Sequence, residues 1–416
     1  MNSNLTNTRD PVRIWTGALA FLFPFLSLVT LFGVSLGSFL FLITALILFK
    51  PCRDALVRHW PQVRWVVLAF LLHFLFVLGC ALVRGANMNT VEKPARMFFA
   101  VSSLAVVLAA RPSRRMLWWG VIGGAMAALP FVAWQRIGLG IERPGGLINA
   151  ITFGDLALLL ALLAVTAAID MKNDPRHARH ARLAALGALA GLAASLLTGS
   201  RGGWIALGVA ALLFLRHARV LGSRSVRVLL AAGAAVVLAA WFVPASGMQG
   251  RFQDGVNDVR GWFEDGTVFT NVGTRLELWK GATMLIAEHP LLGRDFVACR
   301  ERLAEFARDG RLDPVVLPLP HLHNDALQEL VTGGVLGFAL WAAILAAPLS
   351  FFLRELRGGV DKPQAALALA GVLVVTSYVS FGLTEVIFWS MKGSLFYALM
   401  VFVLMGFCLN AKEKIG

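Results

Sequence analysis

Residues 323–353 read HNDALQELVTGGVLGFALWAAILAAPLSFFL. After Glu329 no charged side chain interrupts the run. As a helix rising about 1.5 Å per residue, the block from Asp325 onward is long enough to cross the roughly 30 Å hydrocarbon core of a bilayer. Its apolar residues are continuous rather than alternating, which excludes a strand of a transmembrane barrel. Similar blocks recur along the chain, at about 14–32, 33–49, 65–83, 95–110, 116–134, 153–169, 183–199, 203–215, 227–243, 325–353, 364–382 and 385–409. Of 416 residues, 58% are hydrophobic and 15% charged, with a mean hydropathy of +0.72; soluble domains carry roughly 25% charged residues. The expected fold class is therefore an all-α polytopic membrane protein of about twelve transmembrane helices.

Charge gives these helices a direction. With the N-terminus inside, the short inner connections collect Arg9 and Arg13, Lys50 to Arg64, Arg111 to Arg115, Lys172 to Arg182, Arg216 to Arg227, Arg354 to Lys362, Lys412 and Lys414. That is 22 of the 38 Lys and Arg, as the positive-inside rule asks. Both termini are then cytoplasmic, and the net charge of +14 is a topology signal that points to no nucleic-acid partner. The apolar run from Ile14 leads into a second block without a small-residue cleavage site, so no cleaved signal peptide is expected. On this topology only Cys299 of the four cysteines Cys52, Cys80, Cys299 and Cys408 faces outward. Neither a disulfide framework nor zinc-ligand spacing is present.

The expected division is residues 1–243 as nine spans, 244–324 as one long outward loop, and 325–416 as three more spans. A loop of that length carries structure and function of its own. Within it, Thr274-Arg275-Leu276-Glu277 has the form of a capping box, and Leu276, Trp279, Thr283 and Ile286 follow at helical spacing until Pro290 and Gly293 end the run. A second helix is expected near Glu301 to Arg308. The loop's nine basic and eleven acidic residues balance, so it is no general polyanion surface.

Several outward residues stand out. Arg275 sits in a first helical turn, where a cation opposes the helix dipole unless an anion docks on the free N–H groups and the guanidinium together. Arg201, in LLTGSRGGW at 196–204, occupies a short outward turn where an arginine is disfavoured, and an arginine at a membrane edge is a site hypothesis. Gly199, Gly202 and Gly203 allow close backbone approach there, although the phosphate-binding GxxxxGK[ST] pattern is absent. Lys93 and Arg96, in TVEKPARMFF, extend the outward basic set. Ahead of the tenth span, PLPHLHNDALQEL at 318–330 places His321 in a proline-stiffened approach and His323 beside Asn324 and a helix start at about Asp325, with Asp325 and Gln328 as cap. An imidazole at that point suits a general base. Glu385, on the outward turn FGLTE at 381–385, is a carboxylate able to orient an arginine or the histidine. Two histidines at i, i+2 have no third ligand placed by spacing, and no metal, cofactor or nucleotide motif is expected.

Three motifs together, SRGGW at 200–204, TRLELWKGATMLIAEHPLLG at 274–293 and HNDALQELVTGGVLGF at 323–338, resemble the O-antigen ligase family. The family pattern runs SRG, an arginine ahead of a W…PLLG helix, then HNxxLQ…GxxG at the head of a span; one departure is Asp295, where a second glycine is common. The resemblance implies transfer of O-antigen polysaccharide from undecaprenyl diphosphate to a sugar hydroxyl of lipid A–core, on the periplasmic face of a Gram-negative inner membrane. In that reading His323 is the general base and Arg201 and Arg275 bind the diphosphate, with Lys93, Arg96, His321, Asn324 and Glu385 in substrate contact. The reaction would need no metal and no ATP and would invert the anomeric centre if it is a single displacement. An O-antigen polymerase or a pilin O-oligosaccharyltransferase uses the same chemistry on another acceptor. A lipid-linked oligosaccharide transporter is the alternative from a different class, but it calls for repeat symmetry and polar groups at mid-membrane.

Overall fold

A computed structural model describes residues 9–85, 87–172, 180–200, 202–216, 224–242, 248–357 and 363–413. Every described regular element is helical, and each apolar block of the sequence contains a helix. Before the long loop these are α1 (Arg9–Leu26), α2 (Gly33–Ile47), α3 (Phe49–Arg84), α4 (Asn89–Phe99) continuing into α5 (Val101–Ala110), α6 (Arg114–Ala133), α7 (Ala150–Lys172), α8 (His180–Leu197), α9 (Gly203–Arg216) and α10 (Arg224–Phe242). In the loop stand α11 (Met248–Glu264), α12 (Gly273–Glu288) and α13 (Phe296–Arg308), followed by α14 (Asp325–Leu356), α15 (Pro363–Gly382) and α16 (Met391–Glu413). Eight of the described helices are long and apolar enough to cross a membrane, and α1, α2 and α9 are shorter apolar helices. The chain is an all-α polytopic membrane protein.

The most apolar helices take the middle. α7, α15 and α16 are buried along nearly their whole length, as helices hydrophobic all round must be. α15 packs on α7, α14 and α16, so its outer end, where Glu385 follows, is fixed from several sides. The connection between α10 and α14 has a separate small core of Leu278, Leu285, Leu303, Phe306 and Leu322 with the buried thiol of Cys299. Burial pushes that thiol up to about 12, and all four cysteines are free.

This loop is joined to the spans backbone to backbone. Gly334 of α14 has φ 61° and ψ −163°, a conformation open essentially to glycine alone. A Cβ there would lie 2.3 Å from the Leu291 carbonyl carbon, and one on Gly293 would lie 2.6 Å from the Gly333 nitrogen. In that close approach Val335 N–H donates to the Pro290 carbonyl at 2.8 Å and Arg294 N–H to that of Val331 at 2.9 Å. The Arg84 guanidinium, at the end of α3, binds the carbonyls of Leu292, Gly293 and Thr332. The PLLG and GG motifs are thus two halves of one joint.

Three local expectations are corrected. Thr274 and Glu277 form no capping box: α12 starts at Gly273, whose N–H is taken by the Thr270 hydroxyl at 2.9 Å. Asp258 accepts from Val272 N–H, and Glu277 is turned to Asp313 N–H and Lys280 instead. The cap of α14 is Asn324, whose Oδ1 accepts from Leu327 N–H at 3.0 Å, one residue before the expected Asp325. The helix expected near Glu301 begins at Phe296, because Asp295 caps it through Val297 N–H. That cap is what the aspartate in place of the common glycine does. α11, MQGRFQDGVNDVRGWFE, is an additional helix, whose three glycines lower the helix propensity of the sequence.

Candidate active site

The two histidines lie in a segment pinned at both sides. Trp279 Nε1 donates to the Leu322 carbonyl at 2.8 Å, and Leu322 N–H donates to Gln328 Oε1 at 3.1 Å. Asn324, besides capping α14, donates from Nδ2 to the Leu383 carbonyl at 3.2 Å, so its side chain ties the start of α14 to the turn after α15. His323, between them, has φ 51°. A left-handed backbone at a non-glycine residue costs of order 1–3 kcal/mol and persists only where its surroundings impose it. The imposed conformation turns the imidazole toward the same turn, where Glu385 stands, 2% exposed.

Glu385 serves both rings. Its Oε1 lies 3.0 Å from His321 Nε2 and its Oε2 lies 3.1 Å from His323 Nδ1. The rings meet edge to face with centroids 4.4 Å apart. His323 N–H points at His321 Nδ1, 3.4 Å away, so that nitrogen acts as acceptor and the His321 proton is on Nε2, facing the carboxylate. By the same logic the His323 proton is on Nδ1, which leaves its Nε2 lone pair uncommitted. Burial pushes the His321 imidazole down to about 4, against the pull of the Glu385 charge. Burial pushes the Glu385 carboxyl up, but the hydrogen bond from His323 and the charges of the two imidazoles outweigh it and hold the group below its usual range. The arrangement is a buried carboxylate orienting one histidine through a fixed hydrogen bond, with the second histidine as its other partner.

His323 also lines a cleft of about 500 Å³ that contains Arg275 and Arg143, with Thr270, Asn271 and Thr274 beside them. No Asp or Glu is among its described lining residues, so the cleft suits an anion. Arg143, in the connection after α6, lines the candidate cleft and was not singled out in the sequence. Its signal was available, since it is an outward arginine on the expected topology, as Arg201 is. Arg201 itself lies outside the described residues. The turn around it abuts the site, because a Cβ on Gly202 would meet Thr384 Oγ1 at 2.5 Å, one residue from Glu385. Buried Asp155 of α7 lies under the same turn.

The other expected residues divide. Lys93 Nζ donates to the Trp389 carbonyl at 2.7 Å and lies 4.8 Å over its indole. Trp389 in turn packs on His321, centroids 5.6 Å apart, so Lys93 reaches the histidines through one aromatic ring. Arg96 is not among the residues that line the cleft and pairs with Glu92 at 2.5 Å, the helical i, i+4 partner that proximity favours. Asn324 is spent on the cap and the turn. The third potential metal ligand that the sequence spacing lacked is supplied by Glu385: His321, His323 and Glu385 each offer one ligand atom, all within 4.8 Å. Consistent tautomers satisfy both carboxylate oxygens with imidazole N–H groups, so the trio fits a proton network.

Residues 186–342 match the model of a family described as O-Antigen ligase. The matched stretch contains all three motifs on which the resemblance rested. A protein of Haemophilus influenzae described as uncharacterized is 21% identical over 362 residues, 86% of this chain and 90% of that protein.

Proposed function

We propose that this chain, a member of the O-antigen ligase family, is a membrane glycosyltransferase that moves O-antigen polysaccharide from undecaprenyl diphosphate to a sugar hydroxyl of lipid A–core. The observation that carries this reading is the shared cleft: His323 and Arg275 line the same space. The acceptor hydroxyl gives its proton to His323 Nε2 while its oxygen bonds to the anomeric carbon. The bond from that carbon to the diphosphate oxygen breaks, and the departing negative charge falls among Arg275, Arg143 and, by its sequence motif, Arg201. Glu385 stabilises the imidazolium that forms. A single displacement of this kind inverts the anomeric centre, and the diphosphate linkage supplies the driving force without ATP. On the topology that the charges favour, the cleft opens to the periplasm of a Gram-negative inner membrane and both termini are cytoplasmic.

Incubating purified protein with lipid-linked glycan and rough lipopolysaccharide tests the reading. Ladder-bearing lipopolysaccharide is the expected product; longer lipid-linked glycan alone would make the protein a polymerase. Arg275→Lys should keep the charge and lose the planar fork. A charged hydrogen bond contributes about 1.5–3 kcal/mol, so transfer should fall on the order of 10- to 100-fold. Near-normal rates in a normally expressed variant would reduce Arg275 to a structural role. Transfer should also persist in EDTA and without nucleotide. Activity lost in the chelator and regained with Zn²⁺ or Mn²⁺ would turn the His321–Glu385–His323 trio into a metal centre.

A further inference from the structure

A second cavity, of about 390 Å³, lies between α3, α4, α14 and the stretch that follows Glu385. Its lining differs in kind from that of the arginine cleft. One part is apolar, with Phe76, Val77, Met97 and Ile344. The other part carries both signs of charge, Lys93 and Arg294 with Glu329 and Asp295, beside the indole of Trp389. Two of its cations hold backbone carbonyls: Lys93 donates to that of Trp389, and Arg84, which also lines the cavity, donates to those of Leu292, Gly293 and Thr332. Its three cations, Lys93, Arg84 and Arg294, face two carboxylates, Asp295 and Glu329, whereas the arginine cleft has none among its described lining residues.

Two buried nitrogens add a demand of their own. Nδ1 of His73 and Nε1 of Trp341 have no hydrogen-bond partner among the described residues, although the residues are only 7% and 8% exposed and both line this cavity. An unmet buried polar group costs about 1–3 kcal/mol, which a ligand that supplies the partner recovers. Aromatic faces, carboxylate and amide groups and two unmet nitrogens in a cavity that also has an apolar lining make the chemistry of a sugar carried on a lipid.

Resting on the glycosyltransferase reading above, we propose that this cavity seats the glycolipid acceptor, while the donor diphosphate occupies the arginine cleft. The acyl portion lies between α3 and α14, and sugar hydroxyls meet Trp341, His73 and Glu329. Trp389, His321, Glu385 and His323 then form the partition between the two substrates, with ring centroids 5.6 Å apart from Trp389 to His321 and 4.4 Å from His321 to His323. The acceptor hydroxyl crosses this partition to reach His323.

Kinetics in nanodiscs with the full chain, titrating rough lipopolysaccharide and lipid-linked glycan separately, test the assignment. Trp341→Phe keeps the ring and removes one donor. It should raise the KM for rough lipopolysaccharide roughly five- to tenfold, the worth of about one hydrogen bond, with the donor KM and kcat unchanged within about twofold. A direct readout comes from Cys80, which lines the cavity and is half-buried while Cys52, Cys299 and Cys408 are buried. Rough lipopolysaccharide, and not lipid-linked glycan, should protect it from N-ethylmaleimide. Protection by the donor instead, or an unchanged acceptor KM in a variant whose wild type transfers, overturns the assignment. Failure of the wild type to transfer would count against the glycosyltransferase reading, and Cys80 protection would still decide what the cavity binds.

Discussion

Replacing His323 by alanine is expected to slow glycan transfer roughly 10²- to 10⁴-fold, the usual worth of a positioned general base. The protein should still insert and bind lipid-linked donor, because Arg275 and Arg143 keep their places in the cleft. Alanine is a poor occupant of the left-handed backbone at this position, where φ is 51°, and that strain alone could lower expression. Asparagine tolerates such a backbone far better. His323→Asn should therefore express better than the alanine variant and be just as slow. A His323→Asn protein that transfers within about threefold of wild type would remove the base from the mechanism, and the imidazole would then serve the backbone alone.

Glu385→Gln carries the second large effect. The amide keeps the size of the carboxylate but offers one acceptor oxygen to two imidazole N–H groups, now 3.0 and 3.1 Å from the carboxylate oxygens, and it directs its own NH₂ at one of them. One histidine must lose its partner or change tautomer. If His323 changes, its Nε2 becomes protonated and can no longer accept the hydroxyl proton. Each charged hydrogen bond contributes about 1.5–3 kcal/mol, so a fall in kcat on the order of 10- to 100-fold is expected. In the proposed mechanism Glu385 is a positioning residue, so both KM values should remain within about threefold of wild type, and Glu385→Asp should recover part of the rate. A Glu385→Gln variant in which KM rises and kcat is unchanged would make the carboxylate a substrate contact.

Much of this architecture is legible in the sequence, and the reasons differ by element. Continuous apolar blocks declare membrane helices because lipid leaves no other way to satisfy the backbone, and every such block contains a helix. The cap positions were less legible. Asn324 and Asp325 are both good caps by type, and only the contact of Asn324 with the Leu383 carbonyl shows why the first is used. Thr274-x-x-Glu277 fits a capping box by spacing, yet Asp313, 36 residues away, claims the glutamate. His323 stood out by its place before a span, whereas the partnership of His321, His323 and Glu385 joins residues about 62 positions apart and is set by the packing of α14 on α15. Arg143 was as visible as Arg201 by the charge rule but belongs to no motif. Arg96 followed the same charge logic as Lys93, and helical geometry turned it toward Glu92.

The proposed mechanism assigns the two histidines unequal work although both hold Glu385. His321 is the more buried, and its free nitrogen faces the His323 backbone N–H; His323 lines the arginine cleft. Single-turnover transfer with donor-loaded His321→Ala and His323→Ala proteins, compared in one assay, measures that difference directly. The predicted result is a His323 variant at least about tenfold slower than the His321 variant, both binding donor like the wild type. The opposite ranking, His321 indispensable and His323 dispensable, would contradict the account and move the base to the other side of Glu385.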